Sequence, residues 1–123
     1  MVRLADQSEL RFVTVENTGS SEVPPNTDHI AVSASSGESR IVHARLISGP
    51  AEFASCGLFV DTGATVRVYD SSISGDFEGV AVNAGGSAVL AYSELANSYN
   101  NAGSLSCLYS HDESLATLDA SCD

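Results

Sequence analysis

Gly63-Ala64-Thr65-Val66-Arg67-Val68-Tyr69-Asp70-Ser71-Ser72-Ile73 can be laid over Gly85-Gly86-Ser87-Ala88-Val89-Leu90-Ala91-Tyr92-Ser93-Glu94-Leu95, further along the same chain. Val66 then falls on Ala88, Val68 on Leu90, Ser71 on Ser93 and Ile73 on Leu95, an offset of 22. Thr65-Val66-Arg67-Val68 alternates polar and apolar residues, the pattern of a short strand, and Gly, Asn, Asp and Ser clusters punctuate such runs along the chain. Self-similarity at a period of a few tens marks a chain of stacked coils.

The repeat extends in both directions with a changing period. Upstream, Arg45-Leu46-Ile47-Ser48-Gly49 aligns with Ser71-Ser72-Ile73-Ser74-Gly75 at an offset of 26. Ser8-Glu9-Leu10-Arg11-Phe12-Val13 aligns with Gly37-Glu38-Ser39-Arg40-Ile41-Val42 at 29. Downstream, Ser87-Ala88-Val89-Leu90 aligns with Ser114-Leu115-Ala116-Thr117 at 27, which places Leu95 on Cys122. Loops of unequal length between strands in register account for the variation. Val23-Pro24-Pro25-Asn26-Thr27-Asp28 is a long loop, stiffened by two prolines. One coil reads as a strand at 65–68, a bend at 69–71, a short strand near Ile73, a loop at 75–78 and a strand at 79–82. The predicted fold is all-β, a right-handed parallel β-helix of about four to five coils at about 4.8 Å per coil. It forms a single domain over 1–123, with 104–123 as a C-terminal closing segment. Like residues should stack: Val66, Ala88 and Leu115 in one inward column, Val68, Leu90 and Thr117 in a second, Ile47, Ile73, Leu95 and Cys122 in a third. Arg40 falls on the Val66 column, where a buried guanidinium would need a partner. Either the register slips by one there, putting Ile41 inside, or Arg40 lies at a corner.

Composition narrows the function classes. The 123 residues are 43% hydrophobic and 17% charged, which excludes an acidic disordered tail. No apolar run approaches the length of a membrane span. Lys+Arg 5 against Asp+Glu 16 gives a net charge of -11, and all five basic residues are arginine. That balance argues against a nucleic-acid backbone as partner. Trp is absent and small residues abound, so the core is built from thin layers of Val, Ile, Leu and Ala. The segment Met1-Val2-Arg3-Leu4-Ala5-Asp6 has no apolar core of a signal peptide. The expectation is either retention inside the cell or a piece of a longer chain that carries its signal upstream.

The pattern Val66-x-Val68-x-x-Ser71-x-Ile73-Ser74-Gly75 followed by Gly79-Val80-x-Val82 resembles right-handed parallel β-helix proteins of the pectin-lyase-like group. The tail from Ala102 to Cys122 is similar to closing segments of bacterial β-helix proteins of unknown function. The resemblance covers most of the chain and is strongest over 57–122. It implies a fold; the same solenoid serves lyases, glycosidases, adhesins and spacers.

The lyases and hydrolases of that group use surface Asp clusters with a nearby Arg or Lys. The nearest residues here are Asp70, just after Arg67, and Asp76 with Glu78. Two carboxylates can act as acid and base on a sugar. Yet Asp70 maps to Tyr92 and Arg67 to Val89 one coil on, so no acid–acid–base ladder forms. Asp76 and Glu78 lie in a glycine-bounded loop, where acids serve as turn formers. No catalytic residue is therefore assigned. His29, His43 and His111 lack ligand spacing, there is no CxxC pair, and no metal or cofactor is expected. A Cys56–His43 nucleophile pair competes with a plain buried cysteine, the commoner situation. Tyr69 and Tyr92 lie near one corner, and tyrosine faces can stack on sugars or simply pack there. With Arg67 and Asp70 as polar neighbours, Arg67, Tyr69, Asp70 and Tyr92 form the candidate ligand-binding set. Cys107 and Cys122 bracket the last segment, and a disulfide between them would tie the final strand to the coil before it, leaving Cys56 as a thiol. Such a bond points to an oxidising compartment.

These readings converge on a non-catalytic β-helix module of a secreted or surface protein, a stalk or carbohydrate-contacting surface with a polysaccharide as partner. Two alternatives stand beside it. One is a partial or degenerate polysaccharide lyase or glycoside hydrolase. The other is an assembly unit stacking end to end as a homo-oligomer through its open coil edges.

Overall fold

The computed structural model describes residues 1–17, 29–49 and 55–123. The proline-stiffened loop at 23–28 lies outside the described residues. Twelve strands are described: β1 (Val2–Leu4), β2 (Glu9–Arg11), β3 (Thr14–Asn17), β4 (His29–Ala34), β5 (Gly37–Val42), β6 (Arg45–Ser48), β7 (Ser55–Val60), β8 (Ala64–Tyr69), β9 (Ser72–Val82), β10 (Ser87–Ala91), β11 (Glu94–Asn101) and β12 (Ser104–Leu108). Every strand pair is parallel. One sheet runs β12-β10-β8-β5-β2; the other runs β1-β4-β7-β9-β6-β3, with β11 on β9. Strands of the two sheets alternate along the chain, which winds as a parallel β-helix, as the repeat predicted. Five strands in the smaller sheet correspond to the four to five coils expected.

The larger sheet is folded along its length. β9 pairs with β6 from Ser72 to Gly75 and with β7 from Glu78 to Val82. The loop expected at 75–78 is thus a bend inside one long strand. Gly75 is required there, because a Cβ would collide with the carbonyl oxygens of Glu78 and Ser55. Gly57 and Gly79 repeat the device on the inside: an added Cβ would meet Ile73 Cγ2 at 2.7 Å and Leu95 Cδ1 at 2.6 Å respectively.

The core is a set of stacked columns. Leu10, Ile41, Val68, Leu90 and Cys107 form one, and Ser39, Val66, Ala88 and Leu105 the next. Val15, Leu46, Ile73 and Leu95 line the opposite side. Ile41, Leu46, Leu58, Ile73 and Leu90 are all fully buried. Ser39 is accommodated inside because its hydroxyl donates to the Ala5 carbonyl at 2.9 Å.

The register corrects the sequence alignment in four places. Leu46, not Ile47, stacks on Ile73; the offset is 27, and Ile47 is half-buried over Ser74. Glu9 lies over Arg40 at an offset of 31 rather than 29. Ile41 points inward and Arg40 lies outward over Arg67, the slipped register of the two expected for that strand. Ser87 to Leu90 stack on Ser104 to Cys107, not on Ser114 to Thr117; Leu115 is 74% exposed. Small, similar residues allowed false matches, whereas burial of the larger aliphatics fixes the true register. The true coil offset shortens steadily: Glu9, Arg40, Arg67, Val89 and Ser106 stack at successive offsets of 31, 27, 22 and 17.

Candidate functional site

The corner between the two sheets is built the same way in every coil. Phe12, His43, Asp70, Tyr92 and Tyr109 follow the strands of the smaller sheet and share φ values of 52, 49, 47, 51 and 50°. Their spacing repeats the 31, 27, 22 and 17 offsets of that sheet. A single left-handed residue turns the chain sharply and aims its side chain outward. Bulky residues seldom adopt this conformation. Here the neighbouring coils hold the first four, whose N–H groups donate to the next coil: Phe12 to Val42, His43 to Tyr69 and Asp70 to Ala91, all at 3.1 Å, and Tyr92 to Leu108 at 2.9 Å.

Beneath the corner runs a second ladder of small residues. Ser71, Ser93 and Ser110 are buried. Each hydroxyl accepts an N–H from the preceding coil: Ala44 to Ser71 at 3.0 Å, Ser71 to Ser93 at 3.2 Å and Ser93 to Ser110 at 3.2 Å. Each also donates to the carbonyl two positions back, on Tyr69, Ala91 and Leu108. The Ser71–Ser93 match seen in the sequence is part of this ladder. The hydroxyls satisfy amides that the tight corner removes from the sheet pattern, and an unsatisfied buried amide costs about 1–3 kcal/mol.

Outside, the corner side chains form a partly stacked column. The Phe12 and His43 rings are 5.1 Å apart at 10°, and the Tyr92 and Tyr109 rings 5.3 Å apart at 17°. Asp70 interrupts the series, with Oδ2 3.8 Å from His43 Nε2.

Alongside this column lies a shallow groove of about 620 Å³. Its far wall is one residue from each coil, Thr14, Arg45, Ser72, Glu94 and His111, and its floor includes Val13, Ala44 and Ser71. The register aligns Thr14 with Arg45, Arg45 with Ser72, Ser72 with Glu94, and Glu94 with His111. Ser72 donates to Glu94 Oε1 at 3.1 Å. The groove thus presents a guanidinium, carboxylates, hydroxyls and imidazoles at successive coil steps of about 4.8 Å.

The four sequence-predicted binding residues occupy two adjacent coils but two surfaces. Arg67 and Tyr69 face outward from β8, while Asp70 and Tyr92 belong to the corner column. Arg67 pairs with Glu38 at 3.2 Å, and the Arg40 guanidinium lies 5.6 Å over the Tyr69 ring. Tyr69 and Tyr92 therefore form no common stripe; the partner of Tyr92 is Tyr109. The groove residues Arg45, Glu94 and His111 escaped sequence reading. Their shared signal, first outward position after the corner, becomes visible only once the register is known.

Cys107 and Cys122 form a disulfide with a Cα–Cα distance of 5.1 Å. Cys56 is buried, and its thiol donates to the Leu58 carbonyl at 2.8 Å. Burial raises the pKa of Glu78, opposed by a hydrogen bond from Asn100. At the turn of 61–63, hydrogen bonds from the Asn83 amide and the Thr62 N–H lower that of Asp61. Among the described residues no cluster of three or more His, Cys, Asp or Glu is placed to hold a metal ion. Nor do they include a helix long and apolar enough to cross a membrane. Compared with known proteins, the chain matches no protein-family model, no curated protein and no solved structure.

Proposed function

We propose that this chain is a non-catalytic β-helix module that contacts an extended carbohydrate along its corner groove. The observation that carries the reading is the groove's far wall, where five coils each supply one residue from Thr14 to His111. A linear polymer lying along the axis would meet a new polar group at every coil. Arg45 donates, Asp70 and Glu94 accept, and Ser72 does both, a mixture suited to sugar hydroxyls. The groove is open rather than enclosed, which favours binding over chemistry that must exclude water. A net charge of -11 repels anionic polymers, so the ligand class is a neutral polysaccharide. The pectin-lyase-like resemblance of the 66–82 pattern agrees with such a role. The Cys107–Cys122 disulfide supports a secreted or surface location.

The test is titration of the protein with neutral linear oligosaccharides, followed by amide NMR and by product analysis. The expected result is shifts along Arg45, Ser72, Glu94 and His111 without turnover, weakened by Glu94→Gln. Release of products from pectate or a glycan would instead identify a degenerate lyase or hydrolase. Absence of binding across a neutral glycan array would overturn the carbohydrate reading.

A second reading rests on a separate observation. Among the described strands, β1, β2 and β3 each pair on one side only, with β4, β5 and β6. Open edges of this kind can join chains end to end. Sedimentation showing concentration-dependent dimers would support that assembly, and a strict monomer would exclude it.

A further inference from the structure

We propose that the break in the corner column at Asp70 is a slot for a planar cation, the guanidinium of an arginine on a basic partner peptide, held between the His43 and Tyr92 rings. The inference does not require a carbohydrate in the groove, although His43 and Asp70 also line that groove; it starts from the interruption itself. Four of the five corner positions carry rings, and these stack in pairs on either side of Asp70. His43 and Tyr92 are two coils apart, about 9.6 Å at the usual strand spacing. A flat group entering at the level of Asp70 would sit about 4.8 Å from each ring. The existing ring pairs are 5.1 and 5.3 Å apart, so the slot matches the spacing this corner already uses. It also falls within the roughly 6 Å over which a cation is attracted to a ring face.

The slot's inner end selects charge. Among the described residues nothing donates a hydrogen bond to the Asp70 carboxylate, and the 3.8 Å approach of His43 is longer than one. Both carboxylate oxygens are thus available for a two-pronged guanidinium contact. Asp70 and His43 are about half exposed, and Tyr92 is 61% exposed, so the slot opens to solvent. The chain already stacks its own guanidinium groups on neighbouring rings: Arg11 lies 5.8 Å over Phe12 and Arg40 5.6 Å over Tyr69. Those two arginines pair with Glu9, and Arg67 pairs with Glu38; no arginine pairs with Asp70 among the described residues. An excess of acid over base draws a basic partner to the surface. A planar guanidinium fits better than an ammonium, because it stacks and forms the fork at once.

N-acetylarginine amide and N-acetyllysine amide are the probes, with binding read from the NMR shifts of Asp70, His43 and Tyr92. The arginine compound is expected to shift all three residues, with the lysine compound at least fivefold weaker. Asp70→Asn, which keeps the shape and tolerates the left-handed corner, should weaken arginine binding at least tenfold. Asp70→Tyr, which places at this corner a residue found at two others, should fill the slot and abolish binding. Equal arginine affinity in Asp70→Asn, or no shift at these residues, would overturn the proposal. So would a neutral oligosaccharide that shifts Asp70 and Tyr92 where the arginine amide does not; that result would give the slot to the groove's carbohydrate.

Discussion

The first and last described coils differ in how their outer edges are covered. At the N-terminal end the coil offset is 31, from Glu9 to Arg40, and β1 and β2 are the shortest of the described strands. Val2, Leu10 and Val13 are only partly buried there. At the C-terminal end the offset falls to 17, and the chain after β12 folds back over the last coil. Cys107 N–H donates to Ala120 and Leu118 N–H to Ser110. Asp112 Oδ1 accepts from Ser114 N–H and Oγ and from Ala116 N–H. Those hydrogen bonds, led by the Ser114 hydroxyl, lower the pKa of Asp112. The disulfide fixes this cover, and Cys122 is buried beside Leu95. A parallel stack must end in an unpaired edge. This chain covers one end with a short tail of local turns and a covalent tie, and leaves its described N-terminal strands paired on one side.

Mutation can test the contrast, beginning with the middle of the stack. Ile73→Ala removes a fully buried side chain between Leu46 and Leu95 and is expected to cost about 4 kcal/mol. Leu10→Ala, at the half-buried N-terminal edge of its column, is expected to cost about 1 kcal/mol. Urea denaturation of both variants checks the difference, and equal losses would show that the N-terminal coil is as tightly packed as the middle. Next, Cys107→Ser with Cys122→Ser should lower stability by about 3 kcal/mol, given their sequence separation of 15. Hydrogen exchange should show the opening confined to β11, β12 and the tail, with β2 and β3 unchanged. Ser93→Ala leaves the Ser71 amide unsatisfied within the buried ladder and should cost about 2 kcal/mol, measurable by the same denaturation.

The smallest effects concern pH, and two carboxylates shift in opposite directions. Glu78 has a raised pKa, so the native state favours its protonated form. Its contribution is fully present below the ordinary glutamate pKa and is lost as pH rises through the raised one. Glu78→Gln should therefore slightly raise the melting temperature at neutral pH, with the gain vanishing in the acid range where Glu78 is protonated in both states. Asp112 has a lowered pKa, so its contribution is present above the ordinary aspartate range and is lost as pH falls through the depressed value. Asp112→Asn should slightly destabilise the tail at neutral pH and become neutral in strong acid. Calorimetry across pH separates the two.

The middle coils were legible because their residues differ enough in size to fix a register. Val66 over Ala88, Val68 over Leu90 and Ile73 over Leu95 are observed as the alignment placed them. The flanking coils were misaligned because Ser, Gly and Ala recur at many spacings. Ser114-Leu115-Ala116-Thr117 mimics a strand in composition, yet it is held by the Asp112 turn with Leu115 exposed. Of the candidate site, Asp70 and Tyr92 could be found from the repeat. Arg45, Glu94 and His111 could not, since nothing in their local sequence distinguishes one outward strand residue from another.

Sequence alone determined the solenoid, its central register and the inward residues of its middle coils, because alternation and burial are properties of segments only a few positions long. Only the tertiary structure decided which outward side chains meet across coils: the rings on either side of Asp70 and the groove alongside. Those neighbours lie one coil apart in space, at chain offsets that run from 31 down to 17. The offsets are set by loop lengths, and a loop can change length freely while the strands it joins remain a fixed hydrogen-bonding distance apart.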